Sequence, residues 1–91
     1  MNVSTIKVDG ARLEELRQLV ADVLERDASE ISDTGDFQRE YDADSMRAIE
    51  ILSRLDKKYR IEIAQSQLPE MRNLLAVYAI VTRVAGWSHE Q

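Results

Sequence analysis

The chain has 91 residues, which suits one small domain with a modest hydrophobic core. It has no cysteine and a single histidine, His89, which excludes a disulfide framework, a thiolate zinc site, a cysteine nucleophile and a histidine-rich metal site. The net charge of −5 disfavours a nucleic-acid partner, and without a run of ~20 apolar residues or a secretion signal we expect a cytoplasmic protein with no membrane partner.

The first predicted helix runs from about Asp9 to Leu24 or Glu25, and Asp9 is a good N-cap. Its apolar residues recur at spacings of three and four, which is typical of a helix with one buried side. That side consists of Leu13, Leu16, Val20, Val23 and Leu24. The solvated side consists of Glu14, Glu15, Arg17, Gln18 and Asp22.

A long polar connection follows, from Arg26 to Ala43. Connections of this length are usually either functional or disordered. Ile31 and Phe37 argue against disorder, because each apolar side chain can hold the loop against the core.

The second predicted helix runs from Ser45 to about Tyr59. Asp44 is a good N-cap, so Ser45 falls on the first turn, where backbone N–H groups lack partners within the helix. Such a terminus favours phosphate, so a serine hydroxyl there is well placed to carry a phosphodiester. The alternative is that the Asp-Ser pair is only a helix cap. The predicted apolar face consists of Met46, Ile49, Ile51, Leu52, Leu55 and Tyr59.

The last third of the chain predicts two more helices. Ile61 and Ile63 alternate around a glutamate, which indicates an extended segment that turns both side chains inward. A short third helix is predicted from about Leu68 to Arg72, with Pro69 in its first turn and its cap at Ser66 or Gln67. A fourth helix begins after Asn73 as its cap and stops at Gly86.

These elements predict an all-α fold, a four-helix bundle with three long helices and one short helix. We expect a single domain over residues 1–91, with flexible ends at residues 1–8 and 87–91. The side chains predicted to be buried are those of Leu16, Val20, Leu52, Leu55, Ile63, Val77 and Val81.

Ser45 has no evident catalytic base. His89 is distant in sequence, and no G-x-S-x-G motif surrounds the serine. Asp42 and Asp44 lie close to it, but two carboxylates on a small exposed loop are usually solvated rather than metal ligands. We therefore predict that the chain is not an enzyme and has no metal site of its own.

From Asp36 to Val81 the sequence resembles the acyl carrier protein family. The resemblance rests on Phe37, eight positions before Ser45, then on Asp44-Ser45-Met46 and the helix that follows, and then on Ile61-Glu62-Ile63. A later family step of apolar, any residue, Thr or Asn, apolar matches Met71-Arg72-Asn73-Leu74. With this downstream spacing, the short D-S-L-like motif becomes a strong one.

The resemblance implies a helical bundle of acyl-carrier type that carries 4′-phosphopantetheine on Ser45. In the family a phosphopantetheinyl transferase attaches this arm from coenzyme A with Mg²⁺, and Asp44 would assist by helping to hold the metal of the transferase. The thiol of the arm then carries acyl groups as thioesters to loading, condensing and processing enzymes. The implied protein is a specialised, free-standing monomer that serves fatty-acid-like or polyketide biosynthesis.

Two other functions stay open at this point. One is an aminoacyl or peptidyl carrier, which shares the fold and the attachment chemistry and differs in its loading enzyme. The other is an unmodified helical interaction module in which Ser45 is only a cap.

The sequence departs from the family pattern at three positions near the serine. Asp42 stands where glycine is usual, and aspartate is among the few residues that tolerate a positive φ. Tyr41 stands where leucine is usual and could place a hydroxyl at the rim of the bundle. Met46 replaces leucine, and we expect a partly exposed apolar contact for partner enzymes.

The second helix also departs in its charge. Residues 44–60 carry five basic and three acidic side chains, whereas many fatty-acid carriers have a strongly acidic second helix. Either this is an ordinary solvated face, or it selects a different set of partner enzymes. The residues predicted to bind partners are Met46, Arg47, Glu50, Ile51, Arg54 and Ile63.

Overall fold

The computed structural model describes residues 8–87. Three long helices dominate it: α1 (Gly10–Leu24), α3 (Ser45–Tyr59) and α4 (Leu74–Ala85), with a five-residue helix α2 (Phe37–Tyr41) between the first two. Two 3-10 segments, Ala28–Glu30 and Gln65–Glu70, lie in the connections. The predicted all-α bundle with three long helices is therefore confirmed. No helix within residues 8–87 is long and apolar enough to cross a membrane.

The three long helices begin and end where the sequence predicts. The Asp9 carboxylate accepts hydrogen bonds from the N–H groups of Ala11 and Arg12 at the start of α1. The Asn73 side chain accepts from the N–H of Ala76 at 2.8 Å at the start of α4. Gly86 ends α4 in the left-handed conformation, with φ 72°, which glycine adopts without a Cβ penalty.

The core lies around α1, which packs against both α3 and α4, and all three helices contribute buried residues to it. All seven side chains predicted to be buried are buried. Arg17 differs from its predicted place on the solvated side of α1, because its guanidinium donates to the carbonyl oxygen of Ile31 and to the carboxylate of Asp33 at 2.7 Å. It thereby holds the start of the connection against α1.

The connection between α1 and α3 contains structure that the sequence did not predict. Ile31 and Phe37 are buried, as expected of residues that hold the loop to the core. Helix α2 was missed because five residues are too few to show a helical period, although the Asp36 carboxylate caps it through the N–H groups of Gln38 and Arg39.

The predicted bounds of the short third helix were wrong. The segment is a 3-10 helix that begins after Ala64 and ends at Glu70, and no side chain caps it, so the proposed caps at Ser66 and Gln67 are also wrong. The polar residues Gln65-Ser66-Gln67 show no apolar periodicity that would predict where this helix begins. Met71, predicted to be helical, is a buried residue just beyond the segment.

The apolar face of α3 is narrower than predicted. Leu52, Ile51 and Leu55 are buried, but Met46 is 72% exposed and Ile49 is also exposed. At about 100° per residue, position 46 lies on the side of the helix opposite to the row formed by 48, 52, 55 and 59. Spacing alone placed Met46 and Ile49 in the stripe, whereas the packing of α3 leaves them outside.

Trp87 packs against the bundle, although residues 87–91 were predicted to form a flexible end. Its ring lies edge-on to Tyr59, with centroids 5.1 Å apart, and the Arg12 guanidinium stacks over it at 4.1 Å. Apolar area and cation–π attraction together hold it in place. Of the two predicted flexible ends, only Val8 and Trp87 are among the described residues. The other positions, including His89, lie outside them.

Truncation of a buried leucine on α3 tests this packing. Leu52 is 6% exposed, so Leu52→Ala should lower the free energy of unfolding by about 2–5 kcal/mol through lost apolar burial and the cavity left behind. Urea denaturation followed by circular dichroism measures the change. Met46→Ala on the same helix is the matched control and should shift it by less than about 0.5 kcal/mol. Equal effects of the two substitutions would contradict the orientation of α3.

Candidate functional site

The turn between α2 and α3 is set by Asp42. This residue ends α2 in the left-handed region, with φ 56° and ψ 31°. The next N–H, that of Ala43, donates to the carbonyl oxygen of Phe37 at 3.1 Å, so the chain reverses tightly after one short helix. Aspartate thus takes a positive φ, which few residues other than glycine tolerate, at the position where the resemblance leads one to expect glycine.

Ser45 is exposed as the first residue of α3. The Asp44 carboxylate caps the helix by accepting the N–H of Arg47 at 3.0 Å, and the Asp44 carbonyl oxygen accepts the N–H of Ala48 at 3.1 Å. The hydroxyl therefore lies at the positive end of a 15-residue helix dipole. The sequence prediction for this cap and this helix start is confirmed.

Tyr41 does not place a hydroxyl at an open rim. It is buried, and its oxygen accepts the N–H of Ser32 at 3.0 Å. The Ser32 hydroxyl in turn accepts the N–H of Gly35 at 2.9 Å. A Cβ at Gly35 would lie 2.7 Å from Ser32 Oγ and 2.8 Å from Tyr41 Oη, so only glycine fits beside this network. Apart from the unusual tyrosine, no feature of the sequence indicated this network.

A groove of about 640 Å³ opens beside Ser45. Asp44, Ser45 and Ala48 form one edge, and α2 and the second 3-10 segment form the opposite walls. Its surface is largely apolar, with polar groups at the rim, as is common for ligand sites. The apolar lining consists of Phe37, Ala43, Ala48, Ile51, Leu68, Pro69 and Met71.

One backbone hydrogen bond and one ion pair hold the walls of this groove to each other. The Phe37 N–H donates to the Arg72 carbonyl oxygen at 2.8 Å, and the Arg72 guanidinium lies 3.6 Å from the Asp36 carboxylate. The pKa of Asp36 is lowered, mainly by the hydrogen bond from the N–H of Arg39. Partial burial opposes this shift, whereas the N–H of Gln38 and the charge of Arg72 lower the pKa further. Asp36 therefore stays ionised as the cap of α2.

The residues predicted to bind partners do not share one surface. Met46 is exposed directly after the serine, and Glu50 and Arg54 lie on the outer side of α3. Ile51 and Ile63 are also among the residues predicted to bind partners, but they are 1% and 3% exposed, so neither side chain is available at the surface of this structure. Ile51 belongs to the predicted apolar face of its helix, and it packs into the core and reaches only the wall of the groove.

The two predicted docking arginines are both engaged within the chain. Arg54 donates to the Glu50 carboxylate at 3.0 Å, one helical turn earlier. Arg47 reaches across to α1, where it donates to the Val23 carbonyl oxygen and lies 3.7 Å from the Glu25 carboxylate. Exposed one-turn pairs contribute only about 0.3–0.5 kcal/mol, so Arg54 can exchange partners easily. Arg47, in contrast, donates to a main-chain carbonyl oxygen of another helix.

Comparison with known proteins agrees with the features of this site. A family model described as "Phosphopantetheine attachment site" matches residues 14–81. Polyketide-8 synthase acyl carrier protein 1 of Streptomyces avermitilis is 42% identical over 81 residues, which are 89% of this chain and 96% of that protein. An acyl carrier protein of Brachyspira hyodysenteriae is 34% identical over 65 residues, 70% of this chain and 83% of that one.

A solved structure has the same fold. One chain of a structure described as "The ishigamide ketosynthase/chain length factor" superposes with a TM-score of 0.71 at 33% identity, and the match covers 87% of this chain and all of that one. The chain therefore belongs to the acyl carrier protein family, whose members carry acyl groups on phosphopantetheine and pass them among biosynthetic enzymes.

Substitution of Asp42 tests the turn before the serine. Asp42→Gly should raise the free energy of unfolding by up to about 1 kcal/mol, because glycine has no Cβ strain at φ 56°. Asp42→Val should lower it by about 1–3 kcal/mol, because a β-branched residue is strongly disfavoured there. Urea denaturation measures both changes, and a valine variant as stable as wild type would contradict the left-handed turn.

Proposed function

We propose that Ser45 carries the phosphopantetheine and that the protein is an acyl carrier for polyketide biosynthesis. The proposal rests mainly on the exposed Ser45 hydroxyl at the start of α3. Asp44 caps this helix, and an apolar groove lies beside the hydroxyl. The family match over residues 14–81, which include this segment, supports the assignment. The similarity to two polyketide-8 synthase acyl carrier proteins, 42% and 41% identical, supports the pathway.

The surroundings of Ser45 suit a group that joins through phosphate. Its Oγ would attack the pyrophosphate of coenzyme A, so that an Oγ–P bond forms as the bridging P–O bond breaks. Adenosine 3′,5′-bisphosphate leaves, and the serine proton passes to a base on the transferase. The unpaired N–H groups at the start of α3 then face the new phosphodiester. Asp44 uses Oδ1 for the cap, and we propose that Oδ2 helps to hold the Mg²⁺ of the transferase.

When bound, the arm supplies a thiol on which acyl groups are held as thioesters. The chain itself has no cysteine, so this thiol would be its only one. The groove beside Ser45 offers the apolar surface of Phe37, Leu68 and Met71 along which a nonpolar chain can lie out of water. In this division of labour the protein binds, orients and shelters, and partner enzymes perform the chemistry.

For partner binding we propose the outer side of α3. Met46 offers an exposed apolar contact next to Ser45, and Ile49 extends it by one turn. Glu50 and Arg54 continue along the helix. These residues can touch a transferase, a loading enzyme or a condensing enzyme while the arm enters its active site. We also propose the cytoplasm as the place where the protein meets them.

Removal of the hydroxyl tests the attachment site. Incubation with a promiscuous phosphopantetheinyl transferase, coenzyme A and Mg²⁺ should add one phosphopantetheine to the wild-type protein, as measured by intact mass. Ser45→Ala should fold, with unfolding free energy changed by less than about 0.5 kcal/mol, and stay unmodified.

Ser53→Ala, a change of an exposed serine on the same helix, is the matched control and should be modified fully. Modification of the Ser45→Ala protein would refute the site. A wild-type protein that never gains the group would favour an unmodified interaction module instead.

Loading separates the two kinds of carrier. The modified protein should accept malonyl or other acyl groups from an acyltransferase that uses acyl coenzyme A donors. It should not accept amino acids from adenylating enzymes with ATP. Mass spectrometry of the thioester distinguishes the products, and amino-acid loading alone would replace the proposed function with that of an aminoacyl carrier.

Charge reversal tests the role of the outer side of α3. Arg54→Glu should slow acyl transfer to the condensing enzyme that accepts the wild-type protein, because rim charges control the association rate. The loss should be largest at low ionic strength and should shrink as salt is added. Arg83→Glu is a matched control, since Arg83 is also an exposed helical arginine with a single side-chain hydrogen bond, to Gln67 at 3.0 Å. Equal rates for Arg54→Glu and wild type at low salt would show that this charge is only solvated.

A further inference from the structure

Arg47 makes an unusual contact for a residue beside a modification site. Its side chain is only 38% exposed, and one guanidinium nitrogen donates to the Val23 carbonyl oxygen at 2.5 Å. The other terminal nitrogen lies 3.7 Å from the Glu25 carboxylate. The side chain thus crosses from the first turn of α3 to the last turn of α1.

The end of α1 explains why a cation belongs there. The last carbonyl oxygens of a helix have no intrahelical partner and carry the negative end of its dipole. In α1 the Ala21 and Asp22 carbonyl oxygens accept the N–H of Glu25, and Ala21 also accepts that of Arg26. The Val23 carbonyl oxygen accepts Arg47 instead. A charged donor to an unpaired carbonyl is stronger than a neutral one.

Arg47 is also fixed through its backbone. Its N–H donates to the Asp44 carboxylate at 3.0 Å, so the same residue completes the cap of α3 and holds the end of α1. Ser45 lies between Asp44 and Arg47. No short connection joins the two helices at this point, because residues 25–44 separate them along the chain.

A second contact joins the same two helices at their other ends. The Tyr59 hydroxyl donates to the Glu15 carboxylate at 3.0 Å. Burial raises the pKa of Tyr59, and the Glu15 carboxylate raises it further, so the phenol remains a donor at neutral pH. Within residues 8–87, these two residues make the side-chain hydrogen bonds between α3 and α1, one near Ser45 and one a helix length away.

We propose that Arg47 is a positioning residue for the modification of Ser45, rather than a docking charge. By holding the first turn of α3 against the end of α1, it fixes the direction in which the Ser45 hydroxyl meets the transferase. The inference rests on the proposed attachment at Ser45. The position needs a cation, because a carboxylate there would face the Val23 carbonyl oxygen and the Glu25 carboxylate.

The test compares Arg47→Ala and Arg47→Lys with Tyr59→Phe in steady-state modification by one transferase. Arg47→Ala should lower kcat about tenfold with little change in KM, since a misdirected nucleophile reduces the rate of reaction rather than the affinity. Arg47→Lys should recover most of the loss, because an ammonium group can still donate toward the Val23 carbonyl oxygen. Tyr59→Phe loses the remote contact of the same kind and should keep the wild-type kcat.

Amide hydrogen exchange provides a readout that does not depend on modification. Exchange at residues 45–48 should become faster in Arg47→Ala and stay unchanged in Tyr59→Phe, with both variants folded by circular dichroism. A rise in KM that salt abolishes, with kcat unchanged, would overturn the proposal in favour of docking. An equal loss in Tyr59→Phe would overturn it in favour of general destabilisation.

The two hypotheses fail in different ways. If the wild-type protein is never modified, the proposed function fails. If the wild-type protein is modified and Arg47→Ala matches it in kcat and in amide exchange, only the role of Arg47 fails.

Discussion

Burial of one side of α3 in the core determines the orientation of this helix and, with it, the exposure of Ser45. An isolated helix of 15 residues is marginal in water, so α3 exists because Ile51, Leu52 and Leu55 lose their contact with water where α3 packs against α1 and the second 3-10 segment. Because this side of α3 is buried, the opposite side of the helix must face the solvent. Met46 and Ile49 are turned outward, and Ser45 is left exposed at the end of the helix. The accessibility of the serine is thus a consequence of core packing further along the same helix.

The long connection between α1 and α3 has a definite structure because it is attached at several points. Ile31 and Phe37 are buried in the core, Arg17 holds the Ile31 carbonyl oxygen, and the Leu75 N–H donates to the Asp33 carbonyl oxygen at 3.1 Å. These contacts turn a polar segment into one wall of the groove beside Ser45. The order of this segment comes from its attachment to other elements rather than from its own propensity.

The charge of α3 has a different meaning in the structure than in the sequence. Counted along the chain, Arg47 and Arg54 form one basic side, about two turns apart. In the fold Arg47 is committed to the end of α1, whereas Arg54 has only an exposed pair with Glu50. Surface ion pairs of the second kind are weak and exchange readily with a partner, but a contact with an unpaired main-chain carbonyl is not easily given up. Two arginines on one helix can therefore serve recognition and internal alignment separately.

The class of fold, the three long helices with their caps, and the position of Ser45 after Asp44 at a helix start could all be predicted from the sequence. This is possible because capping and amphipathic periodicity are local properties, carried by residues three or four positions apart. Helix α2 and the bounds of the second 3-10 segment could not be predicted, because segments of five or six residues are too short to show a reliable periodicity of apolar residues. Long-range packing determines which apolar residues of α3 face outward, where Tyr41 and Trp87 pack, and that Arg47 contacts Val23. Each of these depends on an element distant in the chain, and no pattern of neighbouring residues encodes which element that will be.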